Sequence, residues 1–175
     1  MQRLTIGDRA VGPDEPTYVI AEAGSNHNGD LATAKQLIDV AVDAGADAVK
    51  FQTFRASTMY PKHSGSAEYL DSDELLYDMI REMEMPYEWI PRLAEYCANV
   101  GITFLSTPTD RRAVDELEPY VPAYKIASFT MSHHPFQEYV AGKQKPIILS
   151  TGSHEMTEVH EALEVLRKAG ADDVI

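Results

Sequence analysis

Ala44-Gly45-Ala46-Asp47-Ala48-Val49 returns almost unchanged at Ala169-Gly170-Ala171-Asp172-Asp173-Val174, and a looser version stands at Val100-Gly101-Ile102. In each, an amphipathic run stops at a glycine suited to ending a helix, and an apolar strand opens. A recurring helix-glycine-strand junction is what a β/α repeat with parallel strands produces. Working outward, Tyr18–Ala21, Ala48-Val49, Ile102–Leu105, Tyr124 with Ile126, and Ile147–Leu149 are apolar runs, as expected of strands covered on both faces. Leu31–Val42 reads as a helix capped by Asp30, with Leu31, Ala34, Leu37, Ile38, Ala41 and Val42 on one face. Asp173-Val174-Ile175 reads as the opening of a sixth strand. The expected fold is α/β of the (β/α)8 TIM-barrel type, with residues 1–175 forming a partial barrel cut after about five β/α units, since a complete one takes about 250 residues. An open doubly wound sheet is the alternative, but no glycine-rich dinucleotide loop follows the first strand.

Composition narrows the function classes. The chain has 175 residues, 44% hydrophobic and 25% charged, enough for one domain with a real core. Its formal charge of −13 argues against nucleic acid or an anionic membrane as a partner, because phosphate backbones need a positive surface. No apolar run approaches the roughly 20 residues of a membrane span, and Met1–Thr5 lacks a signal-peptide core, so the cytoplasm is the expected location. The single cysteine, Cys97, reads as a small core residue on a helix face. Phe54 to Pro86 breaks the β/α rhythm as an insertion, with a short helical stretch near Glu74 to Arg81; such insertions either cap an active site or are tolerated surface.

The strand ends carry the chemistry. Glu22, Lys50 with Gln52, Ser106 with Thr107, Lys125 with Ser128, and Ser150 with Thr151 stand where α/β enzymes bind ligands. Lys50 and Lys125 each interrupt an apolar strand, and a buried ammonium is costly without a partner. Together with the hydroxyls of Thr107, Ser128 and Ser150 they form a candidate phosphate or carboxylate pocket. The alternative is lysines paired with strand-end carboxylates such as Glu22. Glu22 can orient sugar hydroxyls or move a proton; Asn26 and His27 suit either binding or a turn. One lysine could instead be a Schiff-base nucleophile. His133, His134, His154 and His160 read as helix caps or exposed residues, with no metal-binding pattern.

Ile20–Gly29, Ala46–Thr53, Ser106-Thr107-Pro108, Lys125–Ser128 and Ser150-Thr151-Gly152, in this order and spacing, resemble the sialic acid synthase family, which includes the pseudaminic and legionaminic acid synthases and spore-coat polysaccharide proteins. The resemblance covers nearly the whole chain. It implies a transferase that condenses phosphoenolpyruvate with an N-acylated amino sugar of the N-acetylmannosamine type, releasing phosphate and forming a nonulosonic acid. Lys50, Thr107, Lys125, Ser128 and Ser150 would hold phosphoenolpyruvate; Glu22 would contact the sugar and handle protons. A divalent metal, manganese or magnesium, is implied, with ligands outside this chain, as is a C-terminal antifreeze-like domain absent from it and a homodimer for a full-length parent. Thr130 stands where the family usually has a glutamate, and Ser153-His154-Glu155-Met156 departs from the usual loop. The resemblance therefore implies that the chain alone turns over poorly. Alternatives are a class I lysine aldolase and an incomplete half-barrel acting through a partner.

Overall fold

The structure is a computed structural model that describes residues 3–63, 65 and 75–175. A two-stranded antiparallel hairpin, β1 (Leu4–Ile6) and β2 (Arg9–Val11), precedes the β/α repeat. Parallel strands β3 (Ile20–Gly24), β4 (Ala48–Thr53) and β5 (Thr103–Pro108) pair in sequence order. Strand β6 (Tyr124–Ile126) lies beside β5 and pairs in parallel with β7 (Ile147–Leu149). The expected opening of a sixth strand is present as a single parallel bridge, Ile147↔Val174, with Ile147 N–H donating to Asp173 O and Leu149 N–H to Ile175 O at 2.9 and 2.8 Å. Sequential parallel strands joined by helices make this about half of a TIM-type barrel, and the sheet is not closed.

The helices are α1 (Leu31–Asp43), α2 (Ala56–Met59), α3 (Leu76–Glu82), α4 (Trp89–Val100), α5 (Arg111–Leu117), α6 (His134–Ala141) and α7 (Met156–Lys168). The expected cap holds: Asp30 accepts from Thr33 N–H at 2.8 Å. Asp110 does the same for α5, accepting from Ala113 N–H at 2.8 Å. Gly45 follows α1 at φ +73°, a conformation in which side chains are strained, so the glycine of the repeated junction has a backbone reason. The expected helix near Glu74 is α3; Glu74 itself lies outside the described residues, as do Ser64 and Ser66.

Strand periodicity separates two cores. Val49 and Phe51 of β4, Phe104 of β5, and Tyr124 and Ile126 of β6 face the helices and bury against Ile38, Leu93, Cys97 and Val114. The opposite faces point into the half-barrel: Ile20 and Glu22; Ala48, Lys50 and Gln52; Leu105 and Thr107; Lys125; Ile148. At their amino-terminal ends these inward positions are apolar, and the β1–β2 hairpin closes that end by packing Leu4 and Ile6 with Ala48, Leu105 and Ala123. Toward the carboxyl ends they become charged and then polar, so the fold collects polar groups at one mouth.

One expectation is corrected. The first barrel strand begins at Ile20 rather than Tyr18, because Asp47 captures the preceding backbone: Val19 N–H donates to Asp47 Oδ2 at 2.7 Å and Asp47 N–H returns to Val19 O at 2.9 Å. The hairpin was not foreseen, since three-residue strands give too short an alternation to read.

Candidate active site

A cavity of about 250 Å³ opens at the carboxyl ends of β4 to β7. Its polar lining includes Lys50, Gln52, Thr107, Lys125, Ser128 and Ser150, with Ser25 and Thr109 beside them. Alternation supplies the first four, as successive inward positions near the strand tips. Ser128 opens the 3-10 turn Ser128–Thr130 directly after β6, and Ser150 N–H donates to Ile126 O at 3.0 Å, tying the ends of β6 and β7 together. Thus six positions expected from sequence to bind or catalyse share one wall.

The two lysines differ. Lys50 pairs with the Glu22 carboxylate, whose other oxygen accepts from Gln52 Nε2 at 3.4 Å. That is the pairing considered as the alternative for both lysines, and it holds for Lys50 alone. Lys125 donates to Ile126 O at 2.9 Å and has no carboxylate partner within ion-pair distance among the described residues. Burial, with a smaller push from the Lys50 ammonium, lowers its pKa from 10.5 to about 8, and Glu22 offsets part of this. An ammonium at that site gains from any anion entering the cavity.

Glu22 stands at the rim, its side chain 48% exposed. Beyond it β3 slips by one residue against β4, from Glu22↔Lys50 to Gly24↔Phe51, and Gly24 takes φ +58°. A Cβ at Gly24 would lie 3.3 Å from Glu22 Oε1, so glycine keeps that carboxylate in place.

Asn26 is exposed and does not line the cavity. His27 does not line it either: it is fully buried against Trp89, ring centroids 5.4 Å apart and nearly perpendicular. Its Nδ1 accepts from Gly29 N–H at 3.1 Å, which closes the turn leading into α1 and leaves Nε2 as a buried donor without a partner. Burial lowers the His27 pKa below its ordinary 6.5. The unfolded chain therefore binds the proton first as pH falls below 6.5, so stability drops on acidification until the lower folded value is passed. Urea midpoints between pH 7 and 5 should show this slope, and His27→Gln should lose His27's share of it.

The apolar wall was not legible beforehand. Phe54, Met59, Ile80 and Met83 come from the insertion after β4, and Phe129 from the 3-10 turn. Arg55 holds the returning end of the insertion: it donates to Met85 O at 3.0 Å, pairs with Glu84 at 3.6 Å and lies 3.7 Å over the Tyr87 ring. The described part of this insertion lines the cavity.

One of the expected histidine caps is found: His133 Nδ1 accepts from Phe136 N–H at 3.0 Å at the start of α6, whereas His154 lies 2.8 Å from Gly152 O through Nδ1 and Glu155 caps α7. Among the described residues no group of three or more His, Cys, Asp or Glu side chains could hold a metal ion. Among them, too, no helix is long and apolar enough to cross a membrane.

Comparison with known proteins gives concordant matches. Residues 37–175 match the NeuB family. The chain is 43% identical over 176 residues to the spore coat polysaccharide biosynthesis protein SpsE of Bacillus subtilis, covering 99% of this chain and 47% of that protein. The crystal structure of that protein aligns with a TM-score of 0.82 at 42% identity, over 99% of this chain and 46% of that one. An N,N'-diacetyllegionaminic acid synthase of Campylobacter jejuni is 41% identical over 160 residues, 89% of this chain and 48% of that protein. The crystal structure of the N-acetylneuraminic acid (sialic acid) synthetase of Leptospira borgpetersenii aligns with a TM-score of 0.86 at 29% identity, over 97% of this chain and 56% of that one. The chain spans about half the length of the curated relatives it matches. With the family match extending over most of its length and the strand-end site in place, the chain belongs to the NeuB family of sialic and nonulosonic acid synthases, of which it represents the N-terminal part.

Proposed function

We propose that this chain carries the phosphoenolpyruvate-binding half of a synthase site that condenses phosphoenolpyruvate with an N-acylated amino sugar. The observation that carries this reading is the placement of the Lys50 and Lys125 side chains with the hydroxyls of Thr107, Ser128 and Ser150 around one cavity. Phosphoenolpyruvate has a phosphate and a carboxylate close together, and two ammonium groups with converging hydroxyls match that charge. Phe54, Met59, Ile80 and Met83 would cover its apolar methylene and limit water, which strengthens the charged contacts. In the reaction C3 of the enol bonds to the aldehyde carbon of the sugar, water supplies the new oxygen at C2, and phosphate leaves. Glu22, paired to Lys50 at the rim, would contact sugar hydroxyls and hold or return a proton.

Direct binding is the test. Phosphoenolpyruvate should bind the purified chain with a Kd at or below about 1 mM, the upper end of ordinary substrate affinities, and N-acyl hexosamines should bind only the loaded protein. Phosphate release, measured with manganese supplied and products read by mass, should depend on the sugar wherever turnover occurs. A folded chain that fails to bind phosphoenolpyruvate would sink the proposal.

The low pKa of Lys125 also favours a second reading, since an amine neutral near pH 8 is nucleophilic and a class I aldolase uses such a lysine. Borohydride trapping of a carbonyl ligand on Lys125 separates the two: a covalent adduct supports the aldolase, its absence the synthase.

A further inference from the structure

The apolar wall of the anion cavity, Phe54, Met59, Ile80 and Met83, comes from a segment that leaves β4 and comes back at Met85. Strand pairing does not hold such a segment, so side chains have to fix its base. Two of them form a reciprocal clasp. Arg55, on the outgoing side, donates through one guanidinium nitrogen to Phe54 O at 2.6 Å and to Met85 O at 3.0 Å. Glu84, on the returning side, accepts through Oε1 from Ala56 N–H at 2.7 Å, at the start of α2, and pairs through Oε2 with Arg55 Nε. Both side chains are largely buried, 18% and 23% exposed. The clasp is rooted in the protein interior, because Met85, Phe54 and Ala56 are all buried. Beyond it, the Thr58 hydroxyl of α2 donates to Asp110 Oδ2 at 2.8 Å, and Met59 stands between the anion cavity and a neighbouring one of about 480 Å³ that it also lines. After α3, Met83 Sδ receives the Ser25 hydroxyl at 3.7 Å. Neither Arg55 nor Glu84 lines the anion cavity itself.

A largely buried ion pair contributes little net stability, so the value of this one lies in the geometry it imposes. We infer that Arg55 and Glu84 are positioning residues: by clasping the two ends of the insertion they hold the apolar wall against the cavity of Lys125, keep water from its ammonium and so strengthen its grip on an anion. Neither side chain touches the ligand. The effect on phosphoenolpyruvate rests on the function proposed above; the exclusion of water from Lys125 does not.

Lys125 itself reports whether the wall is in place, since burial is the main cause of its low pKa, with the Lys50 ammonium adding to the effect and Glu22 opposing it. Carbon-13 NMR of the lysine Cε atoms reads its titration, the Lys125 signal being assigned by its absence from Lys125→Met. In Arg55→Met and Glu84→Leu, with circular dichroism to verify folding, Lys125 should hold its proton at least about tenfold more tightly than in the wild type, because water readmitted to the cavity favours the ammonium. Charge acting through space would behave differently: loss of the Arg55 cation would tighten the proton, and loss of the Glu84 anion would loosen it. Shifts of opposite sign, or no shift, overturn the inference. Arg55→Lys keeps the charge but cannot span the Phe54 and Met85 carbonyls or stack on Tyr87, so it should shift Lys125 in the same direction by less. That variant decides the matter if the other two do not fold, and an unchanged Lys125 in it overturns the inference. Phosphoenolpyruvate affinity at pH 7 should fall by about tenfold or more in Arg55→Met and Glu84→Leu, as charge attraction weakens in a wetter cavity. A lower thermal midpoint with the Lys125 titration and the affinity both retained would make the clasp purely structural and overturn the inference. If the Lys125 shifts appear but the wild type does not bind phosphoenolpyruvate, the positioning role stands and the proposed function falls.

Discussion

Lys125→Met is expected to weaken phosphoenolpyruvate binding by about 100-fold or more while leaving the thermal midpoint unchanged or higher. A charge-assisted hydrogen bond to an oxyanion contributes about 1.5–3 kcal/mol, and about 2.7 kcal/mol is 100-fold in Kd. The stability half of the prediction follows from the pKa. The folded-state value, about 8, lies below the ordinary 10.5, so the folded chain holds this proton less tightly than the unfolded one. At neutral pH that corresponds to about 3 kcal/mol acting against folding, fully present below pH 8 and relieved as pH rises through the ordinary value. Methionine removes the charge and keeps most of the volume. A structural lysine would behave in the opposite way, with loss of stability and little change in binding. The same linkage gives a pH signature: an anion in the cavity raises the Lys125 pKa, so binding takes up a proton between about pH 8 and 10 and weakens as pH rises there. Calorimetry at pH 9 in buffers of different ionisation enthalpy measures that uptake, and Lys125→Met should abolish it.

Glu22→Gln is expected to split the two ligands. Removing the carboxylate takes a negative charge from beside the cavity and frees Lys50, so phosphoenolpyruvate should bind as tightly as before or up to about tenfold more tightly. The amide keeps a hydrogen-bonding group near Gln52 but cannot accept as an anion or move a proton. Binding of an N-acyl hexosamine to the phosphoenolpyruvate-loaded protein should therefore fall by about tenfold or more, as a charged hydrogen bond is lost. Saturation-transfer NMR on the loaded protein reads this directly. Equal weakening of both ligands would show that Glu22 only positions Lys50 and does not meet the sugar.

Much of this site was readable one strand at a time. Lys50 and Lys125 stood out because each interrupts an apolar run, and a period of two then dictates that both point away from Val49, Phe51, Tyr124 and Ile126. The hydroxyls of Thr107, Ser128 and Ser150 could be named because they stand at the carboxyl ends of strands. His27 looked equally functional in the same polar word, yet it is buried on Trp89, a residue 62 positions away whose contact no local pattern announces. Phe129 and Met59 went unnoticed because apolar residues in a short turn or an insertion are ordinary in sequence.

The sequence by itself determined the β/α rhythm, the Asp30 cap, the glycine junctions and the inward direction of the two lysines, since all of these follow from backbone periodicity and terminus chemistry within a few residues. Only the tertiary structure decided that Lys50 rather than Lys125 is paired with Glu22, that the insertion after β4 walls the cavity, and that a second cavity lies beside the first. Pairing, burial and the satisfaction of donors depend on which strands and loops are neighbours in space, and that neighbourhood is set by packing of the whole half-barrel rather than by any one of its segments.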